Sequence, residues 1–177
     1  MSPDILTSSG AYFNFLHPER SEISVPQIAA ALSKICRFTG HTSEFYSVAQ
    51  HSVYVSLIVP PEHAMWGLMH DAAEAFIGDV AKPLKMLLPD YQAIEKRVEW
   101  AVFKALGLSL PLPSSVKHAD IRLLVTEQRD LMPGHTSTGK LWFDVEPLPQ
   151  VIVPMGPKDA EALFLDRFEQ IKLAEGK

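Results

Sequence analysis

The chain has 177 residues, 47% of them hydrophobic and 21% charged, with a net charge of −5. That length fits one domain with one sizeable core (residues 1–177). The acidic balance excludes a general binder of nucleic-acid polymers or membrane surfaces, yet leaves room for a small phosphorylated ligand on a local basic cluster. No apolar run reaches the roughly 18 residues of a membrane span. The first ten residues lack a basic region followed by an apolar core, and the single cysteine, Cys36, cannot form an intrachain disulfide. A reducing cytoplasm is the expected compartment.

In chain order, residues 10–16 (GAYFNFL) alternate as a short strand. Ser24 and Gln27 spell a capping box that opens a helix over Pro26–Cys36. After a Gly40 turn, Ser43–Val59 reads as a second helix, ended by Pro60-Pro61, and Glu62–Phe76 as a third. Gly78-Asp79 turns the chain into a short helix over Val80–Leu88. Asp90–Leu106 is a long amphipathic helix closed by Gly107. Pro111 and Pro113 mark a connection, and Ser114 or Ser115 caps a helix running to about Leu131. Residues 132–157, with five prolines and three glycines, read as loop, although Gln150–Pro154 suits a strand pairing with the N-terminal one. Lys158–Leu173 is a final amphipathic helix. The expected fold is an all-α helical bundle with a small β-strand pair from the N- and C-terminal segments.

The stretch Met65–Lys85 (MWGLMHDAAEAFIGDVAKPLK) carries His70, Asp71 and Glu74 inside an apolar helix pattern. Buried unpaired charge is expensive, so such groups call for a partner, often a metal ion. On an α-helix His70 and Glu74 stack one turn apart, with Asp71 beside them. His51 and Asp120 lie in similarly apolar helical contexts. Imidazole nitrogens with carboxylate oxygens suit a divalent transition metal, and ligands from three helices would cross-brace a bundle. Glu74 is placed to act on water rather than to ligate.

Three pieces of this chain, CRFTGHTSEFYSVAQHSV, LMHDAAEAFIGDVAKPLK and VKHADIRLLVTEQRDLM, resemble the HD-domain metal-dependent phosphohydrolases in their YfbR/YfdR-like branch. The likeness runs from about Ile28 to Met132. It implies metal ligation by His51, His70, Asp71 and Asp120, and an acid/base role for Glu74. It also implies that Arg37 and Phe38 lie near phosphate and nucleoside and that Asp79 contacts the sugar. The implied cofactor is Co²⁺, Zn²⁺ or Mn²⁺, with room for a second ion such as Mg²⁺, and the implied partner is a nucleotide. By analogy with DatZ-type phage triphosphohydrolases the substrate is an adenine deoxynucleotide. A monophosphate would give nucleoside and phosphate, and dATP would give deoxyadenosine and triphosphate. Relatives are often homo-oligomers, and Trp66, Met69, Trp100 and Trp142 suit either core or interface. Only eighteen residues separate His51 from His70, fewer than in YfbR-like members.

Each residue also has a bland reading. Phe38 suits the core as well as a base-stacking face. Asp79 suits the N-cap of the following helix, and Lys82 and Lys85 suit a solvated face as well as a phosphate tail. His70 and Asp71 are not read as an ion pair, because adjacent helical residues diverge by about 100°. His41, His63, His118 and His135 have no evident role, and Cys36 lacks a base that would make it a nucleophile. Residues 134–141 (GHTSTGKL) nearly spell a phosphate-binding loop, but Leu141 replaces the hydroxyl that would hold magnesium, and no helix follows. Two other functions compete with the hydrolase reading. One is hydrolysis of a signalling nucleotide such as an alarmone or cyclic dinucleotide; the other is a non-catalytic, metal-containing nucleotide sensor.

Overall fold

The computed structural model describes residues 2–132, 134 and 145–176. A two-stranded antiparallel hairpin opens the chain: β1 (Asp4–Leu6) pairs with β2 (Tyr12–Asn14) in the register Asp4–Asn14, Ile5–Phe13, Leu6–Tyr12. Gly10 supplies the left-handed turn residue at φ 84°. Phe13 is fully buried and stacks on Phe76, with ring centroids 4.0 Å apart, which anchors the hairpin to the bundle.

The bundle comprises α1 (Val25–Leu32), α2 (Val48–Ile58), α3 (Ala64–Met69), α4 (Glu74–Ile77), α5 (Lys82–Lys85), α6 (Pro89–Ala105), α7 (Ser114–Leu131) and α8 (Pro157–Ala174). Helix α2 is apolar on most of its circumference and is the central element, packed against α1, α3, α7 and α8. Ser47 caps it by accepting from the Gln50 amide at 3.1 Å, and Pro60-Pro61 ends it. One hydrophobic core runs from Phe13 through α2 and α3 to Phe164 and Ile171 of α8.

The mainly helical class and the small strand pair are as the sequence indicates, but several elements differ. Both strands come from the N-terminus. Residues 150–154 are extended without joining a sheet, and side chains of the bundle take several of the backbone groups in and beside this segment. Ile152 N donates to Asp130 Oδ2 at 2.9 Å, Gln50 Nε2 donates to Val153 O at 2.8 Å, and Met155 N donates to Gln50 Oε1 at 3.1 Å. The capping box does not form either: Ser24 makes no side-chain cap, and Gln27 donates instead to Thr7 Oγ1 at 2.6 Å. Helix α1 stops at Leu32, since Cys36 bridges Ser47 in an antiparallel contact. The start of α2 moves from Ser43 to Val48 for the same reason.

The third predicted helix is interrupted at its most polar point. From Met69 to Phe76 the backbone bonds run i to i+3: Ala72 N to Met69 O, Glu74 N to Asp71 O, and Phe76 N to Ala73 O, at 2.9–3.0 Å. Such tightened turns have three residues per turn. Asp71 and Glu74 therefore share a face, and the expected stacking of His70 on Glu74 is replaced.

Candidate metal centre

Three elements deliver the cluster. Helix α2 contributes His51, the tight turn after α3 contributes His70 and Asp71, and α7 contributes Asp120. The first two approach closely because residue 67 is glycine. A Cβ there would stand 2.9 Å from Ser56 Cα and 3.1 Å from Val59 Cγ2 of the facing segment. The Gly67 carbonyl also accepts from His70 Nδ1 at 2.8 Å, so the same residue fixes the ring it brings near.

His51 Nε2 lies 3.2 Å from His70 Nε2, 3.2 Å from Asp120 Oδ1 and 3.6 Å from Asp71 Oδ2. His70 Nε2 is 3.2 Å from Asp71 Oδ2. Thus adjacent His70 and Asp71 do converge, on a common point rather than as a simple pair. His51, His70 and Asp120 each offer a ligand atom within 4.8 Å of the others.

The hydrogen bonds explain why these groups fit a cation. His51 Nδ1 is 2.6 Å from Glu127 Oε1, and His70 Nδ1 is 2.8 Å from the Gly67 carbonyl. Both partners are acceptors, so each Nδ1 carries its proton and each Nε2 presents a lone pair. Two lone pairs and two carboxylates facing one another require a positive charge between them. Ligands bonded at 2.0–2.2 Å in tetrahedral or octahedral arrangements lie roughly 2.9–3.5 Å apart, close to the separations here. Three carboxylates (Asp71, Asp120 and Glu127) face one guanidinium (Arg37), so a divalent ion balances the cluster. The donor set therefore fits a divalent metal. Where no metal competes, a proton answers the same need. Burial and Arg37 oppose charge on His51, but Glu127 and Asp120 outweigh them and lift its pKa to about 9. Burial alone would raise Asp71, but His70, His51 and Arg37 hold it well below the usual carboxylate range. Asp120 is likewise pulled down against its burial, chiefly by His51.

Glu74 is buried beside this cluster. Its Oε2 has no hydrogen-bond partner among the described residues, and its Oε1 is 3.6 Å from Lys85 Nζ. Burial, then the charges of Asp71 and Asp79, push its pKa well above that of an ordinary glutamate. Such a carboxyl holds a proton more readily than an exposed glutamate does.

The remaining predicted residues sort differently. Arg37 is buried and forks onto Glu127, with Nε at 3.2 Å and Nη2 at 3.0 Å from Oε2, while Nη1 is 3.7 Å from Asp71 Oδ2. Phe38 is half-buried outside the core, its ring 5.6 Å from the Arg37 guanidinium. Asp79 does not cap a helix, since α5 begins at Lys82 after Ala81. It is half-buried, and burial raises its pKa. Lys85 is engaged by Glu95 at 2.5 Å, and Lys82 is exposed. Among the histidines without an assigned role, His63 ties the turn before α3 to α7 through Ser115 Oγ at 2.8 Å. Trp66 donates to the Ser109 carbonyl at 2.9 Å, Met69 is core, and Trp100 is 51% exposed. Most of the near-phosphate-loop segment, and Trp142, lie outside the described residues.

Sequence reading missed Glu127, which is fully buried and holds both His51 and Arg37. The available signal was its place seven residues after Asp120, two turns along the same face of α7.

No family model matches the chain. It is 40% identical over 171 residues to the uncharacterized protein YfdR of Escherichia coli, covering 94% of each chain. It is also 32% identical over 121 residues to an uncharacterized protein of Rhodobacter capsulatus, covering 63% of this chain and 62% of that protein. No helix among the described residues is long and apolar enough to cross a membrane.

Proposed function

The chain belongs to the family of Escherichia coli YfdR, and from its metal-binding geometry we propose that it is a metal-dependent phosphohydrolase of nucleotides. The observation that carries the reading is the pairing of a cation-seeking cluster with a buried carboxylate that ligates nothing. His51 and His70 turn their Nε2 lone pairs inward with Asp71 and Asp120, and Glu74, which feels the Asp71 charge, has an Oε2 without a hydrogen-bond partner among the described residues. A purely structural metal site has no need of that extra carboxyl. The motifs that resemble the HD-domain phosphohydrolases contain these same residues.

His51, His70, Asp71 and Asp120 would hold the ion. A divalent transition ion held there would supply Lewis acidity, making bound water a stronger acid. Glu74 Oε2 accepts the proton of the attacking water and returns it to the leaving 5′-oxygen. Burial and the nearby Asp71 and Asp79 charges keep its basicity high enough for that task. Lys85 stays 3.6 Å from Glu74 and limits how far that rise goes. The products are a nucleoside and the released phosphate chain.

The electrostatics favour a monophosphate over a triphosphate. Lys85 is committed to Glu95 and Glu74, and Arg37 to Glu127 and Asp71, which leaves exposed Lys82, of the basic residues considered, to balance a polyphosphate tail. Adenine deoxynucleotides remain the first choice of base by analogy.

The test is product analysis with dAMP and dATP in parallel, using protein reloaded with Co²⁺, Mn²⁺ or Zn²⁺. Phosphate released from dAMP, with dATP slower or inert, is the expected result. Triphosphate from dATP would reverse the order of substrates. Inertness on both at full metal occupancy would remove the nucleotidase reading, and alarmones and cyclic dinucleotides would be tested next.

A further inference from the structure

Among the described residues, Arg37 is the one guanidinium paired with the metal cluster's carboxylates, and its side chain is only 11% exposed. Its Nε and Nη2 both donate to Glu127 Oε2, and Nη1 reaches toward Asp71 Oδ2. The other Glu127 oxygen accepts from His51 Nδ1. A closed ring results: Arg37 braces Glu127, Glu127 fixes His51, His51 faces Asp71, and Asp71 returns to Arg37. We propose that Arg37 and Glu127 act as one positioning pair for the metal centre, so that Arg37 serves the ligands rather than the substrate's phosphate. The proposal rests on the metal reading above and refines it.

Two features support this assignment. First, Nε and Nη2 are both spent on a fully buried carboxylate, so Arg37 could grip a phosphate with that fork only by leaving Glu127. Stripping one partner from a buried ion pair is strongly unfavourable. Glu127 is held below the usual carboxylate range, against its burial, chiefly by Arg37 and then His51. Second, the backbone beyond Arg37 is constrained. Phe38 and the β-branched Thr39 both sit at φ 54°, a left-handed conformation that side chains disfavour. Such strain persists only where surrounding contacts over-determine it. Here the Arg37 amide donates to Tyr46 O at 2.9 Å, the guanidinium is locked on Glu127, and Ser43 N donates to Leu131 O at 2.7 Å. Carboxylate partners of ligating histidines set metal affinity by orienting the ring; in this chain that partner is itself oriented by Arg37.

Arg37→Lys keeps the positive charge and removes the fork. Titration of metal-free protein with Co²⁺, read by visible absorption, is expected to show affinity lower by about 10- to 100-fold and altered bands. At saturating Co²⁺ the KM for dAMP is expected to stay within about twofold of wild type. A phosphate-binding arginine gives the opposite pattern: unchanged Co²⁺ affinity with a raised KM. That result would overturn the proposal. Because a lone change at a buried ion pair can prevent folding, Arg37→Met with Glu127→Gln is the second variant. It removes both charges together and leaves an amide oxygen to accept from His51. This variant is expected to fold, as shown by circular dichroism, and to bind Co²⁺ weakly; wild-type affinity in it would also overturn the proposal. Wild-type protein that takes up Co²⁺ but hydrolyses no nucleotide would remove the phosphohydrolase reading alone, since the Co²⁺ comparison still decides the pair. Wild-type protein that takes up no Co²⁺ would remove both.

Discussion

The metal-free centre is expected to compete for protons. His51 takes its second proton at about 9, against an ordinary value of 6.5. A group whose folded pKa is raised stabilises the fold fully below its unfolded pKa, and that contribution fades as pH rises through the folded value. The window is therefore pH 6.5 to about 9, and across it the metal-free protein should lose about 3 kcal/mol. Glu74 pushes in the same direction. Its carboxyl is raised by burial and by Asp71 and Asp79, so deprotonating it within the fold also reduces stability as pH rises. Metal binding has the opposite slope, because uptake must expel the His51 proton. Apparent affinity should gain about tenfold per pH unit up to roughly pH 9 and then level off. The assay is denaturant unfolding of the metal-free protein from pH 6 to 9.5, paired with Co²⁺ titrations over the same range. Metal-free stability that climbs with pH through the window, or Co²⁺ affinity independent of pH, would mean that His51 does not hold this proton.

Two further predictions concern how the ligands are held. Gly67→Ala inserts a methyl 2.9 Å from Ser56 Cα, so α3 must move off α2 and carry His70 with it. A loss of about 1–3 kcal/mol and a Tm lower by roughly 3–10 °C are expected, together with weaker Co²⁺ binding. An unchanged Tm would show that the close approach does not exist. Ser47→Ala removes the cap of α2 and should lower stability by about 1 kcal/mol. It leaves the ligands in place, so Co²⁺ affinity should change little; a large loss of affinity would mean that the start of α2 does more than cap.

The sequence conveyed the ligands better than their setting. His51, His70, Asp71 and Asp120 stand out because polar groups in apolar helical runs are costly without a partner, and the structure brings all four together. The long amphipathic helices were legible almost to the residue: Asp90–Leu106 is observed as Pro89–Ala105. Less visible was anything that depends on tertiary contacts. The i to i+3 turns across residues 69–76 occupy a stretch whose apolar spacing reads as a plain helix. The pattern of 150–154 reads as a strand, but Asp130 and Gln50 take its backbone bonds. Glu127 sits in the polar run TEQRD, which looks solvated, and only its distance from Asp120 marks it. Nothing local to Arg37 reveals Glu127, 90 residues away, on which its guanidinium forks.

In the proposed reaction Glu74 carries the proton while His51, His70, Asp71 and Asp120 would hold the metal. The most direct test compares wild type with Glu74→Gln, both brought to full Co²⁺ occupancy, in phosphate release from dAMP. Release by wild type and a loss of at least about a hundredfold in the variant are expected, with equal metal content and a metal-free fold at least as stable, since a buried carboxyl without a full set of partners has been neutralised. No release by fully loaded wild type, or equal rates from the two proteins, would contradict the proposed reaction.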